Sequence, residues 1–320
     1  MAAALPSINI HGRPLGRTWS LLAANAPAGS ASVRLAHDPI AMGWQVGDRI
    51  GIAPTTGAQP GQPPQSEGTV HRVTRIGSGG AFDGEVGYAL DISPPLPWAA
   101  AGGNQLVEGF RVGIAAEVVN LARSVIISGD DFSALSSEGG ASPAGLHTIM
   151  AGGGLMRIEY ARVEKCGQRM VKGRYCLHLH YMGDCPDCAF IGNAIEDSAQ
   201  GGITIHETHS ATIRSNVLWN TRGNGIYTED GNEMGNRFIE NVVVCSTWQE
   251  CYVDTTISQA SATPLWRAAP HTPPQLAARM ACMILQTVSP GRVGSLIHTG
   301  KGPPCASSPA RLPALLELGR

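Results

Sequence analysis

Between Gly173 and Glu233 the chain concentrates side chains able to move protons or hold cations. The run Gly173-Arg174-Tyr175-Cys176-Leu177-His178-Leu179-His180-Tyr181-Met182-Gly183-Asp184 is followed by Ile203-Thr204-Ile205-His206-Glu207 and then by Gly225-Ile226-Tyr227-Thr228-Glu229-Asp230. In a strand, successive side chains alternate faces. With Leu177 and Leu179 turned inward, His178 and His180 both face outward. If Leu177, Ile203 and Ile226 stack on neighbouring strands, two outward columns result. One is His178, Thr204 and Tyr227; the other is His180, His206 and Glu229. A strand spacing of ~4.8 Å makes each column a contiguous row.

Such rows suit several chemistries. Two imidazoles beside a carboxylate can act as acid and base, because a nearby Glu raises a His pKa toward neutrality. The same trio can ligate a divalent metal. Asp184, Glu207, Asp230 and Glu233 at the strand ends offer oxygens to a hard cation such as calcium. Paired carboxylates along a saccharide-length groove suit glycoside cleavage. The competing reading is a solvated sheet face with polar ladders and no catalysis. His11 and His147 read as structural, and His71, His209, His271 and His298 carry no constellation. Trp44, in Gly43-Trp44-Gln45-Val46-Gly47-Asp48, reads as core or turn packing rather than a sugar platform.

The elements that must position these residues repeat. Gly192-Asn193-Ala194-Ile195, Ser215-Asn216-Val217-Leu218 and Glu240-Asn241-Val242-Val243 place asparagines 23 and 25 residues apart. Each follows a short apolar strand and precedes another. A period of this length built from short strands fits one coil of a parallel β-helix, so residues 117–250 are expected to form a right-handed one. Asn tolerates a left-handed backbone, and its amide can bond the equivalent turn of the next coil. Residues 1–16 read as a strand and turn with no partner strand before them. Residues 17–116 alternate short apolar runs with Gly/Pro-rich breaks, an all-β module rather than βαβ. Residues 251–320, rich in Pro and Ala, read as a mostly disordered tail with a short helix from Leu276 to Val288.

Bulk properties agree. Gly is 40 and Pro 22 of 320 residues against 15% charge, so turns are frequent and long amphipathic helices scarce. A net charge of −2, without like-charge runs, gives no sign of nucleic-acid binding or of a polybasic membrane patch. No apolar stretch reaches the ~20 residues of a spanning helix. The N-terminus lacks a basic n-region, and Pro6 interrupts its short apolar run, so it does not read as a signal peptide. Of eight cysteines, Cys185-Pro186-Asp187-Cys188 has a zinc-knuckle gap but no second pair at ribbon spacing. Two buried or disulfide-bonded thiols are the favoured reading; the compartment decides which.

At several of these residues the chain resembles a known family. Ile10-His11-Gly12-Arg13-Pro14, Trp44-x-x-Gly47-Asp48-x-Ile50 and Glu117-Val118-Val119 through Ile127-Ser128-Gly129 are similar to the G8-domain proteins. That family includes fibrocystin-like proteins and the cell-surface hyaluronidases related to the cell-migration-inducing hyaluronan-binding protein. The closest match is Gly173-Arg174-Tyr175 with His178-x-His180 and Gly183-Asp184, then Glu229-Asp230-Gly231-x-Glu233. The likeness covers about residues 8–245 and is nearer to the fibrocystin-like branch.

The resemblance implies a right-handed β-helix on an extracellular or cell-surface protein, with carbohydrate-related activity in some members and calcium associated with hyaluronan depolymerisation. It also implies that residues 1–16 hold the last strand of a truncated G8 domain, so the chain reads as a fragment. The expected site takes His178, His180, His206 and Glu229 as catalytic, with His180 or His206 as the acid–base group. Arg174, Tyr227 and Asp184 contact substrate, Arg174 as a clamp for an anionic sugar. Asp230 and Glu233 hold calcium. The expected partner is a polysaccharide; the rivals are a non-enzymatic module that binds a cell-surface protein, and a non-functional fragment whose exposed first strand aggregates.

Overall fold

A computed structural model describes residues 6–55, 68–82, 85–129, 145–168 and 171–244. All regular structure among them is β. Three parallel sheets make up a β-helix. The first sheet stacks Ser7–His11, Leu155–Glu159, Ala189–Ile191, Thr212–Arg214 and Arg237–Ile239. The second stacks Val125–Ser128, Ala161–Glu164, Ala194–Ser198, Val217–Thr221 and Val242–Val244. The third, which carries the chemistry, stacks Thr148–Ala151, Leu177–Asp184, Ile203–His209 and Ile226–Thr228. The inward positions are apolar and fully buried: Ile158, Phe190 and Ile213 from the first sheet, Val163, Ile195 and Leu218 from the second, Leu177, Leu179, Ile203 and Ile205 from the third. Each such side chain contributes roughly 1.5–3 kcal/mol.

The repeated asparagines form a ladder at the corner between the first two sheets. Asn193 Nδ2 donates to Asn216 Oδ1 at 3.0 Å, and Asn216 Nδ2 donates to Asn241 Oδ1 at 2.9 Å. The left-handed conformation expected of these asparagines belongs instead to the residue before each one. Gly192 (φ 64°), Ser215 (φ 54°) and Glu240 (φ 54°) turn the chain, and the following Asn is freed to point inward. A Cβ on Gly192 would sit 2.4 Å from the Tyr160 ring, so glycine is required there for close approach as well as for φ.

Two expected boundaries move. Ser7–His11, read as a strand with no partner before it, pairs in parallel with the later strand Leu155–Glu159, and Ile8 and Ile10 pack on the coil core. It therefore contributes a rung to the first sheet of the β-helix. Glu117–Asn120 does not begin the coils. It pairs antiparallel with Trp19–Leu21 and Arg49–Ile52, and the chain enters the second sheet at Val125. Val118 and Val119 are both fully buried, one in the module core and the other against the β-helix. The expected tail, its helix at Leu276–Val288, and residues 245–250 lie outside the described residues.

Residues 19–120 form a six-stranded antiparallel sheet in the order Trp19–Leu21, Glu117–Asn120, Arg49–Ile52, Thr69–Phe82, Glu85–Ser93, Ser32–Leu35. Trp44 lies in its core, with its Nε1 donating to the Arg17 carbonyl at 2.9 Å. The sheet docks on the outer face of the second β-helix sheet. Trp219 lies flat against Gly51, where any Cβ would clash with its ring, and Arg49 makes a two-pronged ion pair with Glu196 at 2.6 and 2.9 Å.

His71 is buried in this module. Its Nδ1 donates to the Pro94 carbonyl and its Nε2 faces the Thr69 hydroxyl. Burial holds its pKa below the usual imidazole value, with the Pro94 carbonyl opposing. A histidine kept neutral by the fold contributes stability above its unfolded pKa of about 6.5, and that contribution is lost as pH falls. The urea midpoint is expected to drop between pH 7 and pH 5, and to drop less in His71→Gln. Equal slopes in the two proteins would contradict this account.

Candidate functional site

The third sheet brings the two columns together in the expected register. His178 sits opposite Thr204 and Thr204 opposite Tyr227, while His180 sits opposite His206. Leu177 and Leu179 are inside, so both histidines leave the outer face. That face is not a solvated one. The segment 171–176 folds back across it as a strap, tied to the coil by the Cys166–Cys176 disulfide. Tyr175 packs edge-on against His178 with ring centroids 4.9 Å apart, and the Gly173 carbonyl accepts from His178 Nδ1 at 3.1 Å. His178 is fully buried, His206 is 8% exposed and His180 is half-buried. The alternation rule located the histidines, but the strap that covers them is a tertiary contact with no periodic signal.

Hydrogen-bond chemistry assigns most of the protons. A carbonyl only accepts, so His178 carries its hydrogen on Nδ1 and turns a lone pair outward on Nε2. That nitrogen is buried and has no hydrogen-bond partner. Burial, above all other causes, drives the His178 pKa down to about 3, so the ring is neutral. His206 Nε2 donates to Asp230 Oδ2 at 2.7 Å, while its Nδ1 lies 2.9 Å from His180 Nδ1 and 3.4 Å from Glu229 Oε2. His180 is likewise held below the usual imidazole range, first by burial and then by His206. The three rings pack closely, with centroids 4.7 Å apart for His180–His206 and 4.9 Å for His178–His180.

Glu229 is the hub. Its carboxylate is buried, accepts from the Tyr175 hydroxyl, and meets Lys172 Nζ at 3.0 Å. Burial and the Glu229 charge raise the Tyr175 pKa to about 12, and the same two causes raise that of Tyr227. Tyr227 Oη donates to the Glu229 backbone carbonyl at 3.4 Å. The exposed ring of Tyr181 stands 4.6 Å from both His180 and His206, on a residue with φ 52°. A left-handed backbone at a bulky aromatic is uncommon and costs ~1–3 kcal/mol, so the surrounding structure holds this ring in place.

Other expected positions fall elsewhere. Asp184 is exposed at the far end of its strand, beyond a register shift after His180, and lies opposite His209 rather than the histidine cluster. Arg174 is exposed on the strap and touches His147, which the sequence reading treated as structural. The carboxylate of Glu233 accepts from the backbone amides of Asp230 at 3.0 Å, Gly231 at 2.8 Å and Glu207 at 3.3 Å. Asp230 is turned to His206. The pair expected to hold calcium thus caps a turn, through Glu233, and orients an imidazole, through Asp230. Lys172 and Tyr175 were not singled out as site residues; only their place on the strap beside Gly173-Arg174 marked them. The Cys185–Cys188 pair is a disulfide, as in the favoured reading of that motif.

Among the described residues, no helix is long and apolar enough to cross a membrane. Residues 143–279 match the family model described as the CEMIP beta-helix. The chain is 28% identical over 271 residues to human fibrocystin-L, covering 74% of this chain and 6% of that protein. It is 30% identical over 239 residues to a G8 domain-containing protein of Dictyostelium discoideum, covering 72% of this chain and 18% of that one. The tailspike protein gp49 of Pseudomonas phage LKA1 aligns over 74% of this chain and 42% of its own at 11% identity and a TM-score of 0.22, too remote to inform the site. The chain thus spans a small part of the curated relatives it matches. The described residues thus form an all-β fold with a parallel β-helix, and the chain is similar over residues 143–279 to the CEMIP beta-helix and, over most of its length, to fibrocystin-L and G8 domain-containing proteins.

Proposed function

We propose that this chain is the β-helix portion of an extracellular protein that binds and cleaves an anionic polysaccharide such as hyaluronan on the outer face of its third sheet. The observation that carries this reading is the convergence of His178, His180, His206, Glu229 and Asp230 under one strap. Glycosidic cleavage needs a proton at the leaving oxygen and negative charge near the reacting carbon, and imidazoles packed on buried carboxylates supply both. Lys172 and Arg174 place cations at the exposed rim, where the guanidinium fork suits a sugar carboxylate. The exposed Tyr181 ring beside His180 offers a surface for a sugar face. Two disulfides among the described residues fit an oxidising compartment.

A second reading, a module that binds another protein, is favoured by one feature. The hairpin of Asn104–Val107 and Phe110–Gly113 leaves Phe110 at 73% exposure beside the exposed Val107 and Val112 on one face. Contiguous exposed apolar surface of this kind marks interaction sites.

A reducing-end assay on a polysaccharide panel separates the two. The enzyme reading expects new ends from hyaluronan or another uronic acid polymer, and a KM raised about tenfold in the double variant Lys172→Ala, Arg174→Ala through the loss of ~1.4 kcal/mol of binding. No release from protein that circular dichroism shows to be folded and β-rich would overturn it and direct attention to the hairpin.

A further inference from the structure

The histidine cluster has features that acid–base chemistry alone does not require. One ring nitrogen from each of His178, His180 and His206 lies within 4.8 Å of the other two. In His178 and His206 the opposite ring nitrogen is already committed as a donor. His178 Nδ1 is bonded to the Gly173 carbonyl and His206 Nε2 to the Asp230 carboxylate. A ligating histidine has this arrangement: an outer carbonyl or carboxylate fixes the tautomer and aims the remaining lone pair at the ion.

Of the two lone pairs so aimed, one finds no protein partner and the other meets only a second imidazole. His178 Nε2 is buried and unpartnered, and a buried polar atom left unpaired costs about 1–3 kcal/mol. His206 Nδ1 faces His180 Nδ1 at 2.9 Å, so one of these nitrogens must carry a proton or both must share a cation. Glu229 Oε2, 3.4 Å from His206 Nδ1, adds an anionic oxygen at the same point.

We infer that His178, His180 and His206, with Glu229 beside them, form a binding site for one divalent first-row transition metal ion of the zinc class. Imidazole nitrogens suit zinc, copper, iron or nickel, whereas calcium takes six to eight oxygens. Nitrogens on a tetrahedral zinc lie ~3.3 Å apart, given metal–nitrogen bonds of ~2.0–2.1 Å. His180 Nδ1 and His206 Nδ1, 2.9 Å apart, already stand near that spacing, and one nitrogen of each of the three rings lies within 4.8 Å of the others. Three histidines leave a fourth position for Glu229, water or a substrate oxygen. This inference rests on the reading of this face as the functional site and names its cofactor.

The test uses the full chain freed of metal by dialysis against a chelator. Isothermal titration with zinc is expected to show one equivalent bound. Binding should weaken at least 100-fold in His180→Ala and roughly 10–100-fold in Asp230→Asn, whose side chain orients His206 without ligating. Cobalt(II) should give a visible absorption band in the wild type that His180→Ala loses. His178 is fully buried and its variant would report on folding as well as on binding, so His180→Ala and Asp230→Asn decide the matter. No zinc bound, or equal affinity in all three proteins, would overturn the site. Calcium that competes with zinc and is indifferent to His180→Ala would overturn the choice of donors. Zinc binding without glycan cleavage would remove the polysaccharide reading and keep the metal; cleavage that survives chelation in a chain with no zinc affinity would do the reverse.

Discussion

Asn216→Ala is expected to lower the unfolding free energy by roughly 4–6 kcal/mol, enough to leave much of the chain unfolded at 37 °C. Asn216 is fully buried and uses every polar atom of its side chain. Its Nδ2 donates to the Phe190 carbonyl at 2.8 Å and to Asn241 Oδ1 at 2.9 Å. Its Oδ1 accepts from the backbone N–H and from Nδ2 of Asn193, at 2.9 and 3.0 Å. Alanine removes all four bonds at once and strands groups on both neighbouring coils, each at about 1–3 kcal/mol, with some recovered by relaxation or an entering water. Asn216→Asp keeps the acceptor but turns an anion toward the Phe190 carbonyl and Asn241 Oδ1, so it is expected to be at least as damaging. The exposed Asn232, bonded to Glu207 at 3.0 Å, serves as control, and its alanine variant should shift stability by no more than about 0.5 kcal/mol. Urea unfolding followed by circular dichroism measures all three. A loss below about 1 kcal/mol in Asn216→Ala would mean that the ladder is incidental to the fold.

The second large effect concerns activity. His180→Ala is expected to reduce glycan cleavage by ~10²–10⁴-fold while leaving the β-rich circular dichroism spectrum unchanged. His180 is the half-buried histidine of the three, on the outer face of a strand whose backbone ladder alanine preserves. Its side chain bonds His206 and packs against Tyr181, so its removal leaves no buried charge unpaired. Glu229→Gln behaves differently. It removes the buried anion that faces His206 and accepts from the Tyr175 hydroxyl, so activity and stability should fall together. Turnover and urea midpoints on both variants make the distinction. If His180→Ala retains wild-type turnover, the reacting groups lie elsewhere on the chain.

The coils, the asparagine ladder and the two outward columns were legible because each rests on a short-range rule. Strand periodicity placed Leu177, Ile203 and Ile226 inside, and it thereby placed His178, His180, His206 and Glu229 on one face. The glycine, serine and glutamate that take the left-handed turns before Asn193, Asn216 and Asn241 were less legible, because the asparagines were the residues expected to turn. The position of Asp184 was missed because the register shift after His180 breaks the alternation on which the expectation relied.

What the amino-acid order determined by itself was therefore the repeating unit: which side chains enter the coil, which leave it, and that three histidines and a glutamate share an outer surface. Those features depend on alternation and on residue type. Tertiary structure decided the rest. It paired Ser7–His11 with a strand nearly 150 residues away, sent Glu117–Asn120 into the antiparallel sheet, and drew the Lys172–Tyr175 strap across the histidines. Such contacts join segments far apart in the chain and depend on shape and on burial from both sides, and no local period encodes them. That long-range closure desolvates His178 and gathers a row of outward histidines into a covered cluster, the candidate site.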